Sequence, residues 1–417
     1  MMDLYDIAVI GGGASGLMAA AASAQECKKN HIHGKIVVLE ANSRVGKKLL
    51  ATGNGRCNLT NRNADSTHYH GDVILAAPII NKYTPQNIIN FFESFGLLCK
   101  ELDEGRIYPY NLQASAVLDI LRFQLDHLGV ETICDFAVIS VKKSASGFEI
   151  SSASDKISAK RVVFACGGKA YPQLGSTGSG YQILSSLGHG TTKLFPALVQ
   201  VKTDPKRAKP LKGARSAGAA TLLLDGKPVK TVNGEIQFTE NGLSGICIFE
   251  LSRLVGEADT NPKIEISLDL LPEYSAQEVI AMLNHTKESF GNLPAGDLLS
   301  GCIHKLVGRE VIRTALSHIP KNAWELKPAE IALIAGTVKN FRFDVLGTLA
   351  WKDAQITAGG VPLKETDENL QSRLCRGLYL AGELLNIDGD CGGYNLHWAW
   401  SSGIVTGSAA AFSLLKK

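Results

Sequence analysis

Tyr5-Asp6-Ile7-Ala8-Val9-Ile10-Gly11-Gly12-Gly13-Ala14-Ser15-Gly16-Leu17-Met18-Ala19-Ala20-Ala21-Ala22 decides the fold. Its first six residues have the length and apolar texture of a buried parallel strand. Three glycines follow, and then a small, apolar, helix-prone run. Strand, Gly-x-Gly-x-x-Gly and helix in that order form the dinucleotide-binding turn. Gly11 allows the tight turn, Gly13 the close approach of a pyrophosphate, and Gly16 the close packing of helix on strand. The helix amino terminus then faces the phosphates, with Ala14 and Ser15 in its first turn. A second apolar strand, Lys35-Ile36-Val37-Val38-Leu39, ends at Glu40, 24 residues beyond Gly16. An acid at that place accepts the hydroxyls of an adenosine ribose, with Ala41 beside it.

Outside this stretch the composition is that of an ordinary soluble globular protein. Of the 417 residues, 45% are apolar and 20% charged, and the net charge is +3. That length predicts two or three domains. No long Lys/Arg block is present, so neither nucleic acid nor a membrane is expected as partner; a small-molecule substrate is. The first strand begins within a few residues of Met1, so no signal peptide is expected. Residues 396–415 are apolar but broken by His397, Gly403 and Gly407, which predicts a buried helix rather than a membrane span. Nine scattered cysteines without a Cys-x-x-Cys pair predict neither a disulfide framework nor a metal site. A reducing cytoplasm is the expected location.

Residues 44–61, rich in glycine, base and amide, predict an extended loop after Glu40. Arg44, Lys47 and Lys48 are candidates for phosphates, and Asn54, Asn58 and Thr60 for a heteroaromatic edge or ribityl hydroxyls. Thr52, Gly53, Arg56 and Cys57 are further candidate cofactor contacts. Residues 79–97 and 116–128 read as core-facing helices. Strands are expected at 137–141, which includes the candidate cofactor contact Val138, and at 148–151. The strand ending in Ala165-Cys166-Gly167-Gly168 resembles the Ala-Thr-Gly-Gly turn of many flavoproteins, where the chain returns beneath the dinucleotide; Cys166, in the place of the Thr, reads as a packed small residue or a nucleophile.

From about Phe195 short strands at 199–201, 220–224, 227–232, 234–239 and 245–250 are punctuated by Asp225-Gly226 and Asn233-Gly234. They predict a small antiparallel barrel or sandwich. Helices are expected at 275–290, 298–319 and 327–335. Cofactor-type turns return with Gly382-Glu383 and with Asp388-Gly389-Asp390-Cys391-Gly392-Gly393-Tyr394-Asn395 before a last helix, whose amino terminus suits the electron-rich edge of a reduced isoalloxazine. The fold class read from these elements is α/β: a discontinuous Rossmann-type dinucleotide-binding domain (1–193 and 341–417), FAD-binding by the resemblance given next, with an inserted domain of β-barrel and helices (194–340).

The turn 11–16, the loop from Gly46-Lys47-Lys48 to Arg56-Cys57-Asn58, Thr357-Ala358-Gly359-Gly360-Val361 and the run from Gly382-Glu383 to Trp400-Ser401-Ser402-Gly403 resemble the BaiN-like flavoproteins. These are bacterial NAD(P)/FAD-dependent oxidoreductases, also known as aminoacetone-oxidase-like. The resemblance spans the chain, with Asn386 and His397 standing where Asp and Gln are commoner. It implies FAD, and either NAD(P)H-dependent reduction of a conjugated C=C bond in a 3-oxo bile-acid or steroid type of substrate, or oxygen-dependent oxidation of a small aminoketone. A flavin-binding protein without turnover and a flavin-dependent RNA-modifying enzyme are the other readings. A single Gly-x-Gly-x-x-Gly unit implies that NAD(P)H acts as a transient donor. Tyr171, Arg309, Tyr394 and His397 are candidate acids or bases.

Overall fold

The computed structural model describes residues 4–258 and 262–415. They divide into two compact units, Met1–Phe195 with Gln355–Lys417, and Pro196–Ala354.

The first unit is built on a sheet ordered Glu131–Ile133, Ile36–Leu39, Leu4–Ile10, Lys156–Phe164, with all neighbours parallel. The far edge of Lys156–Phe164 is shared. Its first half pairs antiparallel with Gly147–Ser151, and its second half pairs parallel with Leu378–Leu380. Strands Leu4–Ile10 and Ile36–Leu39 are almost wholly buried, which is why they read as continuous apolar runs rather than alternating ones.

The helix Ala14–Lys29 is buried along most of its length because the C-terminal helix Tyr394–Phe412 packs on it. Small residues make that possible. A Cβ on Gly403 would lie 2.6 Å from the Ser15 carbonyl oxygen, and one on Gly407 would overlap the Ala19 carbonyl. The Ser23 hydroxyl donates to the Gly407 carbonyl at 2.9 Å across this contact. Most of the apolar stretch 396–415 is thus a helix, ending at Phe412, whose central residues are buried in a protein core. Among the described residues no helix is long and apolar enough to cross a membrane.

The expected helix over 79–97 is two helices, Val73–Lys82 and Pro85–Ser94. Thr84 caps the second through a reciprocal capping box with Asn87, and Pro85 occupies its first turn, so the break is written in local chemistry.

The second unit is a closed six-stranded barrel: Val201–Thr203, Gly242–Ser244, Lys227–Thr239, Arg215–Leu224, Ile264–Asp269 and Phe341–Thr348. Leu222, Ile236, Phe238, Ile266, Leu268, Phe341 and Phe343 belong to its core. Helices Ile246–Glu257, Ala276–Ser289, Lys305–Ala315 and Pro328–Lys339 belong to the same unit.

Four expectations differ here. Residues 245–250 do not form a strand: Ile246 opens a helix whose buried positions Cys247, Ile248, Leu251, Ser252 and Val255 recur at helical spacing, a period too long to show in six residues. Asn233-Gly234 is not a turn, because Lys227–Thr239 runs straight through it with Gly234 facing Gly218. Only Asp225-Gly226 turns, both with positive φ (49° and 77°) as a two-residue hairpin requires. Finally, the helix expected over 298–319 is confined to Lys305–Ala315, with the His304 ring accepting from the Leu306 N–H. The strand Phe341–Thr348 closes the barrel, so the chain re-enters the first unit at Gln355 and not at 341.

Candidate functional site

Ile10, Phe164 and Leu380 stand in register, so three strands end at one level. The ladder continues one step beyond them: Gly11 N–H donates to the Leu39 carbonyl, Ala165 N–H to that of Ile10, and Ala381 N–H to that of Phe164, at 2.8–2.9 Å. The turns that begin at Gly11, Ala165 and Ala381 therefore leave a common carboxyl edge, the place where open α/β sheets bind ligands.

The glycines at this edge differ. A Cβ on Gly16 would collide with the Gly11 carbonyl, and a Cβ on Gly11 would lie 2.5 Å from that of Ala165. Those two positions answer to the protein. A Cβ on Gly13 meets nothing within 4 Å, and no side chain caps the helix that starts after it. Open space before an uncapped helix amino terminus fits a pyrophosphate.

Glu40 is buried, at 8% exposure. Its Oε2 accepts from Gly12 N–H at 2.8 Å, while Oε1 accepts from the Asn42 N–H at 2.8 Å and the Asn42 side-chain amide at 2.6 Å. Lys47 Nζ in turn donates to Asn42 Oδ1 at 3.0 Å. A carboxylate has about four lone-pair positions, so three are taken and one on Oε2 is left for a ribose hydroxyl. A second hydroxyl has to displace the Asn42 amide. Asn42 was not among the expected site residues, although an amide two residues beyond the ribose acid was visible in the sequence.

The loop 44–61 is only partly extended: Lys47–Ala51 and Thr52–Gly55 are short helical turns. Arg44, Ala41 and Asn54 are exposed. Lys48 is not directed at open space. It pairs with Glu383 at 2.6 Å, whose other oxygen accepts from Thr357 N–H at 2.8 Å. The Thr357 hydroxyl accepts from the N–H groups of Lys169 and Ala170, at 2.7 and 3.0 Å. This chain ties the loop, the Gly167-Gly168 turn, Thr357 and Gly382-Glu383 together. Arg56 donates to the Gly53 carbonyl at 3.2 Å and lies over the Tyr108 ring, and the Thr52 hydroxyl donates to the Leu49 carbonyl at 2.6 Å. Asn58 is buried with its Oδ1 unpartnered, beside the position a Cβ on Gly393 would take. Val138 is half-buried and packs against the hydrophobic core.

The cysteines of this region are not activated. Burial pushes the thiols of Cys57 and Cys166 up to about 12. Cys166 packs against Gly180, where a Cβ would overlap its sulfur. The packed-residue reading of Cys166 thus has the support of geometry, and the nucleophile reading does not.

Gly382 lies against Ser15, where a Cβ would overlap the Ser15 hydroxyl. Its N–H donates to Ser402 Oγ at 2.9 Å, and its carbonyl accepts from Trp398 Nε1 at 3.1 Å. Further on, the Asn395 amide bonds both the N–H and the carbonyl of Gly389, at 2.9 and 2.7 Å. Asn61 Nδ2 donates to the Gly392 carbonyl at 3.0 Å. A Cβ on Gly393, the residue that caps the C-terminal helix, would lie 2.6 Å from the Thr60 carbonyl. Asp388 is 1% exposed on the strand Ile387–Gly389, paired with Tyr69–Gly71. Segments more than 300 residues apart in sequence thus share one edge.

The four acid or base candidates separate. His397 is fully buried, bonded to the Thr60 hydroxyl at 2.8 Å, and burial pushes it down to about 4 against an opposing contribution from the Tyr83 backbone. It is a neutral core histidine. Arg309 belongs to the barrel unit and forms a two-pronged pair with Asp297, at 2.6 and 3.0 Å. Tyr171 is half-buried with a positive φ of 58°. Tyr394 opens the C-terminal helix and stacks on His68, ring centroids 4.4 Å apart. That contact leads to His68, His70 and Asp390, which residue-by-residue reading missed. Its one signal was the His-x-His spacing at 68–70, where His68 ends the short helical turn Ser66–His68 and His70 lies on the strand Tyr69–Gly71.

Residues 5–409 match the HI0933-like protein Rossmann domain family. The chain belongs to that family. The 3-dehydro-bile acid delta(4,6)-reductase of Clostridium scindens is 38% identical over 97% of this chain and 98% of its own. The ribosomal RNA dihydrouridine synthase of Escherichia coli is 24% identical over 96% of each. Among solved structures, a 3-ketosteroid-delta4-(5alpha)-dehydrogenase from Rhodococcus jostii in complex with 4-androstene-3,17-dione superposes with a TM-score of 0.52 at 16% identity, covering 98% of this chain and 97% of its own. At that identity the superposition speaks for the Rossmann-type fold of this HI0933-like protein and for nothing further.

Proposed function

We propose that this HI0933-like protein is an FAD-dependent oxidoreductase. It reduces a C=C bond conjugated to a carbonyl in a bulky 3-oxo substrate of bile-acid or steroid type, with NAD(P)H as the electron source. The observation that carries the cofactor is the open space at Gly13 before an uncapped helix, on an edge shared with Glu40 and Gly382. In this reading the first turn at Gly13, Ala14 and Ser15 holds the pyrophosphate, and Glu40 with Asn42 holds the ribose. Asn58, Gly392, Gly393 and Asn395 border the isoalloxazine. Bound FAD supplies the hydride transfer. The chain supplies orientation: the Lys48–Glu383–Thr357 network fixes the loops, and the amino terminus of Tyr394–Phe412 favours negative charge next to it.

The substrate class rests on the end-to-end likeness to the bile-acid reductase. By their names, that enzyme and the dihydrouridine synthases both saturate a C=C bond conjugated to a carbonyl. The reaction class is therefore common to both groups of relatives, even though their substrates differ in size and charge. The higher identity and the near-neutral charge favour the apolar substrate over RNA.

The test is anaerobic mixing of the FAD-loaded protein with NADH or NADPH, followed by a 3-oxo-4-ene steroid. Bleaching of the flavin and its return on adding the steroid, without peroxide, is the expected result. Amine-dependent peroxide release with no bleaching by either nicotinamide overturns it in favour of an oxidase.

A further inference from the structure

The strand Tyr69–Gly71 pairs with Ile387–Gly389, His70 opposite Asp388, and the chain then turns through Asp390. The Asp390 N–H donates to the His68 carbonyl at 2.9 Å, and each carboxylate oxygen meets one imidazole: Oδ2 lies 3.3 Å from His68 Nδ1, and Oδ1 lies 2.8 Å from His70 Nε2. The two imidazole side chains keep 34% and 30% of their exposure, against 16% for the carboxylate. The His68 ring lies flat on Tyr394, at 15° between planes, and Tyr394 opens the C-terminal helix directly after Gly393. The cluster thus adjoins the turn assigned above to the isoalloxazine.

A carboxylate that accepts from two ring N–H groups fixes both tautomers. It turns the opposite nitrogens, His68 Nε2 and His70 Nδ1, away from itself, and no described residue bonds either one. The groups around the pair are acidic or phenolic. Asp65, which caps the helical turn Ser66–His68, lies near His68, Asp388 stands opposite His70 on the partner strand, and Tyr69 and Tyr394 pack edge to face. Two half-exposed imidazoles oriented by one carboxylate form the arrangement that general acid catalysis uses. His397, in contrast, is fully buried.

We infer that His68 and His70, oriented by Asp390, form the proton-delivering site of the reduction. The inference rests on the enone-reductase reading above. Hydride with its two electrons arrives at the β-carbon from the reduced cofactor, and the π pair of the double bond moves toward the α-carbon. An imidazolium N–H bond then breaks as a C–H bond forms at the α-carbon, and the imidazole regains its proton from water. Asp390 acts through the histidines and is a positioning residue.

The test uses the FAD-loaded full chain with ¹³C-labelled histidine. Signals are assigned with His68→Gln and His70→Gln and followed from about pH 5 to about pH 9, before and after dithionite reduction. At least one of the two titrations is expected to move on reduction, and each substitution to move the other histidine's midpoint. In single turnover with a 3-oxo-4-ene steroid, the double variant is expected to reoxidise about 100-fold more slowly than wild type. Asp390→Asn is expected to shift the pH profile instead. If neither histidine senses the reduction, or the double variant with bound FAD keeps the wild-type rate and pH profile, the inference is overturned. If wild type itself is not reoxidised by the steroid, the substrate reading fails, and the dithionite titration still decides whether this site adjoins the flavin.

Discussion

The glycine turn at 11–16 and the glycine turn at 389–393 meet the same edge but are held by different means. The first is held by backbone packing, Gly16 on Gly11 and Gly11 on Ala165. The second borrows groups from elsewhere, the Asn61 side chain on Gly392 and the Thr60 carbonyl beneath Gly393, beside the nearby Asn395 amide on Gly389. Both turns were legible in the sequence as glycine patterns; the distant groups that hold them, Ala165 for the first and Thr60 and Asn61 for the second, were not.

The largest expected effect breaks the first turn from within. Gly16→Ala puts a methyl group into the Gly11 carbonyl and should cost more than about 4 kcal/mol, read as loss of soluble folded protein. Gly13→Val in the same turn should change apo stability by less than about 1 kcal/mol, because a Cβ there meets no protein atom, yet abolish the flavin absorbance of the loaded protein. A Gly13→Val protein that keeps full FAD would remove the ligand reading of that space.

Next in size is an acid sensitivity on the borrowed side. His397 is held neutral, pushed down to about 4, from an ordinary value of about 6.5. A base whose folded value lies below its unfolded one contributes fully above about pH 6.5 and loses that contribution as pH falls toward about 4, up to about 3 kcal/mol. Unfolding measured across that window should show the loss in wild type, and a flatter curve in His397→Gln.

Asn395→Ala should cost about 1–3 kcal/mol, since it leaves the Gly389 N–H and carbonyl without their shared amide. It should also weaken FAD binding more than it lowers the unfolding midpoint. Equal losses in both would make the turn a structural brace only. The smallest effect belongs to the link between the two sides. Lys48→Gln should cost about 1 kcal/mol, because the Lys48–Glu383 pair keeps a fifth of its exposure, and titration with salt should erase part of the difference.

Much of the site was legible where one stretch of chain carries its own geometry. Gly11, Gly13, Gly16 and Glu40 were named from spacing alone, and the structure places them on one edge. Lys48 was read as facing phosphates, and its pairing with Glu383, 335 residues away, was not visible. The pairing of Arg309 with Asp297 was likewise invisible at the level of residue type. In the barrel, Asn233-Gly234 carried a turn signal, but its register with Gly218 keeps the strand extended.

The sequence by itself determined the Rossmann turn, the acid that ends the second strand, the buried character of the last helix and the presence of a hairpin-rich insertion. Each is a property of short-range spacing, because strand, turn and helix differ in the periods at which they bury residues. Only the tertiary structure decided which polar groups face a ligand and which are spent on one another. Asn42 occupies half of Glu40, Glu383 takes Lys48, Thr60 buries His397, and Asp390 gathers His68 and His70. Those pairings span up to 337 residues and depend on strand register and helix packing, which no local pattern encodes.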